Sequence, residues 1–282
     1  MSEHAAQPAA TPTNVAAFFD LDKTLIASSS ALAFSRELFG HGLISATDAA
    51  KIVWAEVIYL AIGHTETRME RLKTAMMNMI DGWDDAEIRS LLGDAINRVI
   101  TPTIYAEAKE LLDAHRNLGH DLILISASPL LVVEPIAELL GIPTTVATEL
   151  GLQDGIYNGT IHFYCKGQRK AEAMQAIAAE RGYDLSRCFA YSDSIVDLPM
   201  LTTVGHPVAV NPDRSLRKEA AARHWPVRRF THPLMRRSIT KAVLLGFVTV
   251  ITTLAAGWAL IRESTSAKQP AFRIFRFLLR QH

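Results

Sequence analysis

The stretch "FFDLDKTL", residues 18–25, constrains this chain more than any other. A short apolar and aromatic run without helical periodicity, residues 15–19, reads as a buried strand, and it stops at Asp20, with Asp22 two positions on. The same event recurs along the chain. The run "DLILIS" leads into Ser126 and Ser128, and "CFAYS" into Asp193 and Asp197. Helical stretches such as "TPTIYAEAKELLDAHRNLG" and "QRKAEAMQAIAAERG" lie between these runs. Strands alternating with helices, each strand closing on polar side chains, predict an α/β domain with a Rossmann-like, mostly parallel sheet. In such sheets ligands bind at the carboxyl ends of the strands, which makes these polar residues the candidate site.

The alternation is interrupted once. Residues 31–100 hold long amphipathic stretches punctuated by glycines and by "DGWDD", with Thr47 and Asp84 as expected helix N-caps. They read as a block of roughly four helices inserted after the first strand. "GLQDGIYNGTIHF" predicts a small hairpin, and "PVAV" a further strand. Residues 1–14, rich in Ala, Pro, Thr and Gln, predict a disordered leader with no secretory signal.

Lysine plus arginine equal aspartate plus glutamate at 29 each, so no global field points to nucleic acid. The two cysteines, Cys165 and Cys188, lack metal-ligand spacing and fit a reducing compartment. The chemistry therefore rests on oxygen ligands. Residues two apart on an extended chain project to one side, so Asp20 and Asp22 can face one pocket. Adjacent carboxylates repel, and a divalent cation relieves that; an oxygen-only acidic cluster suits Mg²⁺.

With "DLDKT", "ILISAS", "CKGQRK" and "YSDSIVD" in this order, residues 15–230 resemble the haloacid dehalogenase (HAD) superfamily of hydrolases, on its phosphoserine-phosphatase-like branch, subfamily IB. The resemblance implies a HAD fold whose catalytic core is 15–30 and 101–230, with residues 31–100 as a helical cap and the hairpin as a smaller flap. It implies a Mg²⁺-dependent phosphomonoesterase in which Asp20 is the nucleophile, Asp22 the acid and base, and Ser126 a phosphate ligand. Lys170 would neutralise nucleophile and phosphoryl group. Asp20, the backbone carbonyl of Asp22, and Asp193 would hold the metal, with Thr24 and Asp197 supporting. Lys166 competes with Lys170, and in the related pattern the lysine follows a glycine by three positions, so Gly167 selects Lys170. Ser128 is expected to cap the helix after it, a role Ser126 could share. Thr24 is expected to bond within its loop, and Asp197 could instead be a surface N-cap.

Phosphoserine phosphatases carry a glutamate shortly after the first motif to bind the substrate ammonium. Here that stretch is "LIASSSALAF", with no acid before Glu37. At the other end, residues 242–261 are uncharged and long enough for one bilayer crossing, so 241–261 is expected to be a C-terminal hydrophobic, transmembrane helix. A buried amphipathic or dimer-forming helix is the alternative. Residues 270–282 alternate Arg273, Arg276 and Arg280 with apolar side chains, suited to an anionic membrane surface or to a short docking helix. The expected location is a cytoplasmic catalytic domain attached to the inner face of the cell membrane through residues 241–282, acting on a phosphorylated small molecule or lipid. Phosphoserine phosphatase itself, a phosphotransferase and a non-catalytic phosphate-binding protein are the alternatives, and the oligomeric state stays open.

Overall fold

The computed structural model describes residues 14–47, 49, 52, 74 and 77–234. The chain divides into two units, Met1–Arg236 and Arg237–His282, and every described residue belongs to the first. The expected leader, much of the helical block after residue 47, the apolar 242–261 stretch and the basic tail lie outside the described residues. Among the described residues no helix is long and apolar enough to cross a membrane.

The first strand, β1 (Ala16–Phe19), is followed by helix α1 (Ser30–Gly40) and helix α2 (Asp85–Val99). Next come α3 (Ala106–Asn117), β2 (Asp121–Pro129), α4 (Leu130–Leu140), and the hairpin strands β3 (Thr144–Gln153) and β4 (Ile156–Phe163). The last part holds α5 (Gln168–Arg181), β5 (Phe189–Ser192), the short α6 (Leu198–Thr202), β6 (His206–Val210), α7 (Arg214–Ala222) and β7 (Val227–Arg228). They build one seven-stranded sheet in the order β4-β3-β2-β1-β5-β6-β7. Only the β3–β4 pairing is antiparallel.

β1 is central because it can be buried on both faces, and its four residues are all buried. Side chains alternate across the sheet: Ala17, Phe19, Leu122 and Leu124 enter one apolar cluster, while Ala16, Phe18, Ile123 and Ile125 enter the other. From β1 the chain builds outward to β2 on one side and to β5 on the other, so a crevice opens at their carboxyl ends.

The segment between β1 and β2 leaves and returns side by side. Ala27 N–H donates to the Thr103 carbonyl at 2.7 Å and Tyr105 N–H to the Leu25 carbonyl at 3.1 Å. Helix α2 starts where its sequence asks it to: the Asp84 side chain accepts from Glu87 N–H at 2.9 Å, with Asp85 and Glu87 in the first turn and Arg98 in the last. Thr47 already lies inside a helical turn, whose start is marked by the Ser45 carbonyl accepting from Ala49 N–H at 3.0 Å.

The hairpin is more firmly built in than a small flap. Strand β3 pairs in parallel with β2, and β4 extends the sheet as its antiparallel edge. Its turn uses Asp154 at φ +51° and Gly155 at φ +81°, the left-handed pair that matches hairpin twist. That turn also meets the start of α2: Asp85 N–H donates to the Gly155 carbonyl at 2.9 Å, and Tyr157 N–H to Trp83 at 2.9 Å.

Candidate active site

Asp20 is the first residue after β1, and its N–H still donates to the Tyr191 carbonyl of β5 at 2.9 Å, which fixes where its side chain emerges. Lys23 then takes φ +63°, a left-handed turn for a non-glycine residue, and Leu25 N–H closes onto the Leu21 carbonyl at 2.9 Å. Thr24, fully buried, donates from its hydroxyl to Asp20 Oδ2 at 3.1 Å, as its expected local bond requires.

A lysine delivered by α5 supplies the counter-charge. Lys170 Nζ lies 2.6 Å from Asp20 Oδ1 and 2.8 Å from Asp197 Oδ2, and its side chain is only 2% exposed. Burying an ammonium is costly unless it is paired and hydrogen-bonded, and here two carboxylates hold it. Burial alone would pull its pKa down, but Asp197 and Asp20 together raise it above the ordinary lysine value. Lys166, the competitor, has its ammonium over the Tyr164 ring at 5.9 Å.

Asp197 does not cap α6: it accepts instead from Lys170 and from the Ser192 hydroxyl at 2.8 Å. Asp193, 6% exposed, sits at the end of β5, and its carbonyl accepts from Asp213 N–H at 2.8 Å. Asp213 braces this loop further by accepting from Ile195 N–H at 2.9 Å and Leu216 N–H at 2.7 Å. Neither Ser192 nor Asp213 was singled out from sequence. Ser192 was visible as a polar residue ending an apolar run, whereas Asp213 carries only an N-cap signal ahead of α7.

Ser126 is 1% exposed, and its Oγ accepts from Ser128 N–H at 3.2 Å. Ser128 departs from its expected role. Helix α4 has Pro129 at its N-cap and no side-chain cap bond, while the Ser128 hydroxyl donates to Asp22 Oδ2 at 2.9 Å. Asp22 also accepts from Ser30 N–H at 2.7 Å.

The carboxylates are crowded. Burial pushes Asp20 up to about 6, with Lys170 opposing and Asp197 adding to the rise. Burial and then the Asp20 charge hold Asp193 well above the usual carboxylate range. Burial raises Asp22 as well, against the donors of Ser30 and Ser128. Lys170 is hydrogen-bonded to Asp20 and Asp197, leaving Asp193 without that compensation, which is the electrostatic condition a divalent cation relieves. Among the described residues no three His, Cys, Asp or Glu side chains converge in ligand geometry. Asp20 and Asp193, the acids expected to hold Mg²⁺, are both buried at the ends of neighbouring strands and offer oxygen donors of the kind that cation takes.

The haloacid dehalogenase-like hydrolase family model matches residues 17–202. A probable phosphatase of Mycobacterium tuberculosis is 44% identical over 256 residues, covering 88% of this chain and 89% of the relative. A phosphoserine phosphatase of the same species is 33% identical over 247 residues, covering 87% and 78%. The structure of a phosphoserine phosphatase as a phospho-aspartyl intermediate analogue superposes with a TM-score of 0.59 at 18% identity, covering 79% of this chain and 96% of that one, a likeness of fold. The chain belongs to the haloacid dehalogenase-like hydrolase family and is one of its phosphatases.

Proposed function

We propose that this phosphatase is a Mg²⁺-dependent phosphomonoesterase working through an aspartyl-phosphate on Asp20, with residues 15–30 and 101–230 as catalytic core and 31–100 as cap. The observation that carries the reading is the Asp20–Lys170–Asp197 chain of buried charges at 2.6 and 2.8 Å. A carboxylate attacks a phosphate dianion only where cations cancel their repulsion, and Lys170 stands against the attacking oxygen's own carboxyl group. Asp20 and Asp193, with the Asp22 carbonyl, would hold Mg²⁺, which when bound offsets charge on the phosphoryl oxygens.

In the first step an Asp20 oxygen bonds to phosphorus as the bond from phosphorus to the leaving oxygen breaks, and Asp22 gives that oxygen its proton. Burial, which raises Asp22, favours the protonated form this requires. In the second step Asp22 takes a proton from water, which attacks the phosphorus and frees Asp20. Ser126, at the end of β2, donates to the phosphate, and Thr24 and Asp197 hold Asp20 and Lys170 in place. The cap excludes water during the transfer.

For the leaving group, the nearest acid after the first motif is decisive. Glu37 is committed to Arg98 at 2.6 Å, and Ser28, Ser29 and Ser30 occupy the stretch before it. An ammonium would find no counter-charge there, which favours an alcohol-bearing phosphomonoester over free phosphoserine, the substrate named for one relative. Residues 241–261 as a membrane anchor and 270–282 as a basic surface tail would put the enzyme on the inner face of the membrane and bring lipid-type phosphates within reach.

Phosphate release with and without Mg²⁺, for phosphoserine, small phosphomonoesters and detergent-solubilised lysophosphatidate, tests both levels. Metal-dependent release that vanishes in Asp20→Asn is the expected result, with the best ester naming the substrate class. No release from any ester by folded protein overturns the reading. Recovery of the full chain wholly in the soluble fraction at low salt would remove the anchor and the lipid substrate.

A further inference from the structure

The Ser128 hydroxyl does not go where its place in the sequence sends it. A helix begins two residues later, and a serine just ahead of a helix ordinarily caps it. Here α4 goes without a side-chain cap, and the hydroxyl reaches 106 positions back in sequence to Asp22 Oδ2, 2.9 Å away. The diversion is built into β2. Its pairing with β3 passes from Ile125↔Val146 to Pro129↔Thr148, so four steps on β2 face two on β3. A bulge of this kind re-aims side chains. Thr148, 2% exposed, pins it by donating its hydroxyl to the Ala127 carbonyl at 2.7 Å.

The opposite jaw comes from α1. Ser29 serves as that helix's N-cap, accepting from Leu32 N–H at 3.2 Å, which leaves Ser30, fully buried, for Asp22. Ser30 N–H donates to Asp22 Oδ1 at 2.7 Å, and Ser30 Oγ lies 2.9 Å from Ser128 Oγ and 3.3 Å from Asp22 Oδ2. A hydroxyl has one hydrogen, so the shortest consistent set is Ser30 N–H to Oδ1, Ser128 O–H to Oδ2 and Ser30 O–H to Ser128. Both carboxyl oxygens are then fixed, and each keeps a second lone-pair direction for a proton.

We propose that Ser128 and Ser30 are positioning residues that clamp the Asp22 carboxyl from two sides, aiming its proton at the leaving oxygen. The clamp rests on Asp22 being the proton carrier of the phosphatase reading. It also joins the first turn of α1 to the end of β2, so proton delivery requires that these two elements be held together. Misplacement of a reacting group by about 1 Å costs on the order of 100-fold, and a general acid contributes about 10²- to 10⁴-fold.

The test compares two esters on the full-length protein. p-Nitrophenyl phosphate expels a stabilised phenolate without needing a proton, whereas an alkyl ester such as glycerol phosphate needs one. In Ser128→Ala, kcat/KM for the alkyl ester, which reports the first half-reaction alone, should fall on the order of 10- to 100-fold, with the aryl ester losing only about threefold. Ser128→Thr, which restores a hydroxyl, should recover most of the alkyl rate. Ser30→Ala keeps the N–H donor and should lose less than Ser128→Ala, with the double variant approaching the ester selectivity of Asp22→Asn. Equal losses of kcat/KM on both esters, or none on either, would overturn the clamp while leaving the phosphatase reading intact. Aryl-ester turnover that survives Asp20→Asn, or wild-type protein with no turnover, would overturn that reading itself.

Discussion

At the end of β1, Phe19 is followed directly by Asp20, and at the end of β5 Tyr191 by Ser192, yet the two levels they open onto are held together by opposite electrostatics. Above the strand ends, Asp20, Asp193, Asp197 and Lys170 are all buried and form a charged cluster. Below, the Phe19 and Tyr191 rings stack at 4.9 Å, and His115, 4% exposed, places Nε2 2.8 Å from the Tyr191 hydroxyl and Nδ1 2.8 Å from His120 Nδ1. Burial, with His120 and Arg228 adding to it, brings His115 down to about 4. The upper level gathers charge around Lys170, which faces Asp20 and Asp197 and leaves Asp193 raised by burial; the lower stays neutral because none of its partners is an acid. Function needs charge only at the first level, and the second supports it as an uncharged floor.

The comparison breaks most sharply at Asp20. Asp20→Asn should lower phosphatase turnover by about 10⁴-fold or more, read by phosphate release, while thermal unfolding shows the fold intact, because one of several crowded acids has been removed. Lys170→Met should separate the two levels differently. Turnover is expected to fall about 10²- to 10³-fold, and denaturant unfolding should show a loss of about 3–5 kcal/mol, since Asp20 and Asp197 are left as uncompensated buried charges. Full stability in that variant would mean the cluster is not the ion-paired unit described.

His115→Gln sharpens the other side. A group whose folded pKa is lowered stabilises the protein fully above its unfolded value near 6.5, and that contribution disappears as pH falls through about 4. The wild type should therefore lose up to about 3 kcal/mol from this residue across that window, and the non-titrating glutamine should flatten the slope at little cost to turnover at neutral pH. The His115–His120 contact needs one ring nitrogen to accept, so it is lost only once both rings are protonated. An unchanged acid slope in the variant would assign it to other groups, with His120, lowered by burial, the next to test. The smallest effect is expected far from both levels: Arg98→Ala, which removes an exposed partner of Glu37, should move Tm by no more than about 1 °C.

Much of the upper level was legible in the sequence because it is written locally. An apolar run ending in "DLD", or in "SDSIVD", names a strand and its terminal acids within a few residues. The choice of Lys170 over Lys166 came from the pattern of the related family, in which the lysine follows a glycine by three positions, and Lys170 is the lysine found against Asp20 and Asp197. The lower level was invisible, because His115 and Tyr191 are 76 positions apart and nothing near either announces the other. Ser128 failed for a related reason: its neighbours spell a helix cap, and only the bulge opposite Thr148 turns it toward Asp22. Strand β3 was missed as a parallel partner of β2, since "TTVATEL" groups polar and apolar residues in twos and shows neither strand alternation nor a continuous apolar run. Asp213 acts through the backbone N–H of Ile195, 18 residues earlier, a contact with no local sequence signature.

The central claim is that Asp20 carries the phosphoryl group between two half-reactions. Acid quenching during steady-state turnover of p-nitrophenyl phosphate, followed by peptide mapping, tests it most directly. The account predicts phosphate on the peptide containing Asp20 in the wild type, and none in Asp20→Asn. Undiminished turnover in Asp20→Asn, or phosphate trapped on a different residue, would contradict it.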